Sequence, residues 1–208
     1  MNIGKENFCY TINENGNITD EIPVRSWEEL VTNIDSIPSS KTDTTKFLVT
    51  NDLVVTETCY NYSPVTITPV GDVKITTTND TIFSPNANLT ITGDTNNTLT
   101  LQGSTNIGLI NSDCYDEINI ALQFCNISDG YILVENFENW TMTNCTIKNS
   151  SYDYGAFSLN TSGNVTINDC SFESNTYDVY VKNSPILTLN GTLKLPKIYW
   201  KIGKAMLK

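Results

Sequence analysis

The side chains that most often move protons or hold metals are scarce in this chain of 208 residues. It contains no histidine, so the usual general base and the commonest metal ligand are missing. Its one arginine, Arg25, leaves little means of clamping a phosphate or carboxylate in a fork. The net charge of −11 argues against a nucleic-acid partner, whose phosphates require a basic face. Asp113, Asp116 and Glu117 lie close together in a segment that could hold calcium. Their spacing matches no fixed ligand loop, and a solvated loop is the simpler reading. Asp153 and Asp178 fall on successive repeats, but nothing in the sequence sets them at the separation glycoside hydrolysis needs. Asp169 occupies a turn position, where Asx chemistry accounts for it. The expectation is a non-enzyme with no metal and no other cofactor.

Two other residue sets recur. Tyr131, Tyr152, Tyr154 and Tyr177 fall near one corner of consecutive repeats. On a stiff scaffold such rings could stack on sugars, since amphipathic aromatics serve wet interfaces. The plainer alternative is that they only cover the corner. Cys125, Cys145 and Cys170 occupy one repeat position. Buried free thiols behave as small apolar groups, so an inward ladder is expected. One bridge within the ladder is the alternative. A metal needs convergent ligands, which a column does not supply. Cys9, Cys59 and Cys114 have no evident mates.

The positions of these residues depend on a repeat. Segments 119–130, 139–150 and 164–175 share one pattern: Asn, an apolar pair two apart, a one-residue break, then Cys and a large apolar residue two apart. Apolar and polar residues alternate, the mark of a strand. Shorter apolar pairs stand apart from these segments: Ile132 with Val134, Phe157 with Leu159, Val179 with Val181. Each repeat therefore holds about three short strands joined by corners rich in Asn, Ser, Asp and Gly. A repeat this short buries its apolar side only by stacking on its neighbours. The expected fold is all-β: a right-handed, single-stranded parallel β-helix, with handedness taken from the strand-crossover preference. The expected columns are Ile120–Trp140–Val165, Leu122–Met142–Ile167, Cys125–Cys145–Cys170 and Ile127–Ile147–Phe172.

The division expected along the chain is an N-terminal segment at 1–43, a β-helix at 44–193 and a basic tail at 194–208. Phe8, Tyr10 and Ile12 alternate as in a short strand. Ser26 with Glu29 forms a capping-box pattern. Trp27, Leu30, Val31 and Ile34 follow at helical spacing and should stop before Ile37 and Pro38. This helix is expected to cap the open end of the solenoid; a partner-binding helix is the alternative. Early strands are expected around Phe47, Leu53, Val65, Val73, Leu89 and Leu99. Corners are expected at Pro69 to Gly71, Ser84–Pro85, Gly93–Asp94 and Gln102–Gly103, with an irregular turn over 104–118. Leu187 and Leu189 fit one more turn. The tail reads as a C-terminal cap, an aberrant end or a membrane-surface helix.

No apolar run is long enough to cross a membrane as a helix, and residues 1–20 lack the apolar core of a secretion signal. The chain is expected to be part of a longer protein. Asn-X-Ser/Thr triplets recur from Asn17 to Asn190, and chance in an Asn- and Thr-rich chain explains them as readily as glycosylation does.

Residues 44–193 resemble the pectin lyase-like right-handed β-helix superfamily, and within it adhesin-like surface proteins and polymorphic outer membrane protein repeats. Gly155-Ala-Phe157 is similar to the Gly-Gly-Ala-Ile element of those repeats, with Tyr154 in place of the first Gly. Phe172-Glu-Ser-Asn175 is similar to their Phe-X-X-Asn element. The resemblance implies a non-catalytic, extracellular or cell-surface adhesin-like segment that contacts glycans or a host or neighbouring-cell protein. Two alternatives stand beside it. One is a polysaccharide-active enzyme of pectate-lyase type. The other is an inert structural fragment of a larger surface protein.

Overall fold

The computed structural model describes residues 11–12, 18–19, 21–104, 107–113, 118–135, 137–161, 163–183, 185–191, 197–200 and 206–207. Alternation within each short strand sends every second side chain inward. In Asn164–Asn168, Val165 and Ile167 are fully buried while their neighbours reach solvent. Strands of two to six residues join into three parallel sheets that wind as a β-helix of about seven turns. The first sheet runs from Glu21–Val24 through Thr45–Val49, Val65–Pro69, Leu89–Thr92, Asn119–Gln123, Asn139–Thr143, Asn164–Asn168 and Ile186–Asn190 to Met206–Leu207. The second begins at Leu53–Val54 and ends at Ser171–Glu173. The third begins at Cys59–Asn61 and ends at Ile198–Trp200. One antiparallel pair occurs among the described residues, Thr11–Ile12 with Ile18–Thr19.

The expected columns are present. Ile120 pairs with Trp140 and Trp140 with Val165; Leu122, Met142 and Ile167 follow in register. Ile127, Ile147 and Phe172 stack in the second sheet. The column that holds Cys125 continues backward through Leu99 and Val73, so aliphatic residues take the thiol position in earlier turns. Trp140 is fully buried, edge-on to Phe137 at 5.7 Å and tilted against Phe157 at 5.5 Å.

Corners between the first and second sheets are made by single residues in the left-handed region: Phe124, Asn144 and Asp169, with φ of 51°, 53° and 49°. A second set closes the second sheet: Asp129, Asn149 and Ser174, with φ of 58°, 59° and 55°. Asn and Asp tolerate this conformation because their short polar side chains bond locally; Phe124 does not have that help. The Asn that opens each repeat has a different duty. Asn139 donates its amide to Asn119 Oδ1 at 2.8 Å, and Asn164 donates to Asn139 Oδ1 at 3.0 Å. Asn61 is buried and donates to the carbonyls of Ser63, Ala87 and Asn88. The Asn-X-Ser/Thr triplets at Asn61, Asn139 and Asn164 therefore have structural work for their amides.

The helix Trp27–Asp35 forms as expected. Ser26 Oγ accepts from the Glu29 N–H at 3.1 Å, and Glu29 Oε2 accepts from the Arg25 N–H at 2.8 Å, one residue earlier than a capping box has it. Trp27, Leu30, Val31 and Ile34 are buried. The Trp27 indole donates to the Glu57 carbonyl at 2.9 Å, and its ring lies 5.7 Å from Phe83. The helix thus covers the leading edge of the third sheet.

Four expectations change. Residues 108–113 are a third-sheet strand, Gly108–Asp113, and not an irregular turn; a register shift between Gly108 and Ile110 hid its alternation. Ser84 and Pro85 lie in the strand Phe83–Pro85 and are not a corner, whereas Gln102 ends the strand Leu99–Gln102 and the chain turns from Gly103. The solenoid reaches back to Glu21–Val24, which pairs in parallel with Thr45–Val49. The basic tail contains the strands Ile198–Trp200 and Met206–Leu207, each added in parallel to the preceding turn, which replaces the membrane-surface helix. Cys9, Cys114, Asp116, Glu117, Phe8 and Tyr10 lie outside the described residues.

Asn144 tests the corner account because it is exposed. Asn144→Gly should leave stability nearly unchanged. Asn144→Ile should cost about 1–2 kcal/mol, the penalty for a Cβ-bearing residue forced left-handed. Equilibrium urea denaturation of the two variants checks this.

Candidate functional site

The four tyrosines singled out by spacing come together on the third-sheet flank, and two more join them. Tyr131 opens the strand Tyr131–Glu135. Tyr152 and Tyr154 belong to the corner that leads into Phe157–Asn160 one turn later, and Tyr177 to the equivalent corner after that. Tyr180 is the outward residue of Val179–Val181 and pairs in register with Tyr199. Neither Tyr180 nor Tyr199 was anticipated. The signal was present in each case as an outward residue between two apolar ones, but for Tyr199 it lay in a tail whose strand was not read. Gly155 holds the arrangement open. Its φ is +85°, and a Cβ there would meet the Cβ and N of Tyr180 at 3.0 Å.

The rings form an unbroken chain. Tyr131 and Tyr152 stack at 3.7 Å and 8°. Tyr152 meets Tyr154 edge-on at 5.4 Å, and Tyr154 meets Tyr180 at 5.3 Å and 82°. Tyr180 stacks near Tyr199 at 5.6 Å, and Tyr199 tilts against Tyr177 at 5.3 Å. Tyr154 and Tyr199 remain 47% and 46% exposed, whereas Tyr180 is buried at 4%. Burial, with Tyr131 and Tyr154 beside it, pushes the Tyr152 hydroxyl up to about 12. Asp153, Tyr154, Tyr177, Tyr180 and Tyr199 line an open depression of about 210 Å³.

The two carboxylates of interest part company. Asp153 is exposed on the rim of this depression. Asp178 is buried at 6%. Its Oδ1 accepts from Asn175 Nδ2 at 3.0 Å, and its Oδ2 accepts from the Lys197 N–H at 2.6 Å. Asn175 in turn donates to the Ile147 carbonyl at 3.0 Å and accepts from the Ser150 N–H at 2.9 Å. The Asn of Phe172-Glu-Ser-Asn175 is thus a buried corner brace, and Asp178 fastens the last third-sheet strand to it.

The thiols of Cys59, Cys125, Cys145 and Cys170 are free and buried. Cys125, Cys145 and Cys170 each donate to the carbonyl two residues earlier, across the left-handed corner: Gln123 at 3.3 Å, Thr143 at 3.4 Å and Asn168 at 3.2 Å. The Cys145 N–H donates to Cys170 Sγ at 3.4 Å. These are structural contacts of an inward ladder, not a bridge. Hydrogen bonding along the column, then burial, raises the pKa of Cys145 and Cys170 above the ordinary thiol value of 9.0. Burial, with Asp35 and Glu57 nearby, pushes Cys59 up to about 12. Among the described residues no three His, Cys, Asp or Glu side chains gather as a metal would require, and no helix is long and apolar enough to cross a membrane.

Comparison of the chain with protein-family models, curated proteins and solved structures gives no match. The fold and site by themselves define a class: a parallel β-helix carrying a tyrosine-lined depression on its third-sheet flank.

Two measurements follow from these contacts. A group whose acid form is favoured by folding holds its proton in the native chain after the unfolded chain has lost it. Stability is then full below the unfolded pKa and declines as pH rises through it toward the folded value. The thermal midpoint should therefore fall as pH climbs above the ordinary thiol value of 9.0, driven by Cys59, Cys145 and Cys170. In Cys145→Ala that alkaline fall should be shallower. Separately, Asp178→Ala should cost about 1–3 kcal/mol, because it removes the acceptor of the Lys197 N–H and one of the two acceptors of Asn175 Nδ2. Asp153→Ala should stay within about 0.5 kcal/mol of the parent, as surface changes do.

Proposed function

We propose that this protein is a non-catalytic, adhesin-like β-helix segment of a microbial cell-surface or secreted protein, whose tyrosine flank binds glycan. The observation that carries the reading is the continuous run of six tyrosines along one side of a stiff solenoid, two of them close to half exposed. A β-helix holds such rings at fixed spacing while its corners vary without disturbing the core. Ring faces beside phenolic hydroxyls match the mixed apolar and hydroxyl character of sugars. The Phe172 to Asn175 element, the Gly155 corner and the parallel columns agree with the pectin lyase-like resemblance and its surface-protein members. The enzyme alternative is less well supported, because the hydrogen bonds of Asp178 leave Asp153 without an open carboxylate partner of its own in the depression.

A glycan array probed with the full chain should give a restricted set of saccharides. Tyr152→Ala and Tyr154→Ala should each weaken the best of them by about 2- to 10-fold, the range expected for one aromatic contact. Far-UV circular dichroism should be unchanged. An array without signal, or binding indifferent to both substitutions, would refute the glycan reading. Release of reducing or unsaturated sugars from polysaccharides, with or without calcium, would transfer the site to the enzyme class.

A further inference from the structure

The two ends of the tyrosine flank differ in shape and charge. Tyr131 and Tyr152 lie face to face at 8°, a flat stack. Past Tyr154 the rings turn, with 82° between Tyr154 and Tyr180 and 44° between Tyr177 and Tyr199, while Tyr180 and Tyr199 stay near parallel at 14°. Together with Asp153 they line the depression of about 210 Å³. A sugar ring stacks on a single plane. Rings set at several angles around a hollow instead fit a compact, rounded group. Pockets that enclose drug-sized ligands run to about 300–1,000 Å³, so this one has room for a headgroup and not for a whole ligand.

Its electrostatics select the sign. An aromatic face carries the negative side of the ring quadrupole and attracts a cation, most strongly one that is weakly hydrated. Among the described residues Asp153 is the one carboxylate in the lining, and its side chain is exposed there. Among the described residues no Lys or Arg lines the depression. An alkylated ammonium satisfies each condition: its methyl groups pack against the rings, its charge faces Asp153, and little water must be stripped from it. A bare ammonium or metal ion would lose a tight hydration shell for the same contacts.

We propose that the depression formed by Asp153, Tyr154, Tyr177, Tyr180 and Tyr199 binds a quaternary ammonium group. The proposal rests on the reading of this flank as a ligand surface, and assigns to one end of it a cationic ligand that a neutral glycan cannot replace.

Calorimetric titration of the full chain with choline chloride tests it, with dimethylbutanol, the neutral carbon isostere of choline, as the control. Choline should bind saturably in the millimolar range, and the isostere about ten-fold more weakly or not at all. Asp153→Asn and Tyr154→Leu should each weaken choline by about three-fold or more, and Tyr154→Phe should retain it, because the attraction lies in the ring and not the hydroxyl. Both positions are exposed, so these variants keep the fold; Tyr199→Leu repeats the test on a second ring. Equal binding of choline and its isostere, no saturation at tens of millimolar choline, or indifference to both Asp153→Asn and Tyr154→Leu would overturn the proposal. The array separates the two readings. Saccharide binding lost in Tyr152→Ala without any choline binding removes the ammonium site alone. Choline binding with a blank array removes the glycan reading alone.

Discussion

The structure depends on one constraint: parallel strands of successive turns must lie in register, so that like side chains stack. A repeat of 20–25 residues cannot enclose a core, and each turn uses the turn before it as a wall. Met142 makes the point. It is fully buried only because Leu122 and Ile167 occupy the same place one turn either side. A slip of one residue would move every inward side chain to the surface, so the columns and the register enforce one another.

Keeping that register requires corners of fixed length, and the corners explain most of the polar residues in the repeat. Left-handed single residues at Asn144 and Asp169 turn the chain without adding a residue to the strand. The thiols of Cys125, Cys145 and Cys170 bond across the same corners from the inside, where a water-bound hydroxyl would be poorly placed. The ladder from Asn119 to Asn139 to Asn164 joins the turns from the outside. Residues that look chemically able in the sequence, including three cysteines, Asp178 and Asn175, are thereby occupied in holding corners closed.

What is left for function is the flank that these corners position. Tyr152 and Tyr154 come from one corner, Tyr177 from the next, Tyr180 from the strand that this second corner feeds, and Tyr199 from the strand one turn further on. No single stretch of chain contains the surface; stacking of turns assembles it. Gly155 is the local condition for it, since a side chain there would collide with Tyr180. Asp153 lies beside these rings and Asp178 behind them, so two acids 25 residues apart have opposite environments.

Alternation and repeat spacing alone determined the three-strand turn, the inward columns and the capping helix, because each follows from which side of a backbone a residue faces. They also located four tyrosines on one side. Local pattern failed where a turn was irregular or neighbours decided the outcome. The strand Gly108–Asp113 was hidden by a register shift, Phe83–Pro85 by its proline, and Ile198–Trp200 by the lysines around it. Only the tertiary structure decided that Tyr180 and Tyr199 complete the aromatic chain, that Asp178 is buried and Asp153 open, and that the thiols serve corners. Those properties belong to contacts between turns, and the distance between turns along the chain carries no local signature of which side chains will meet.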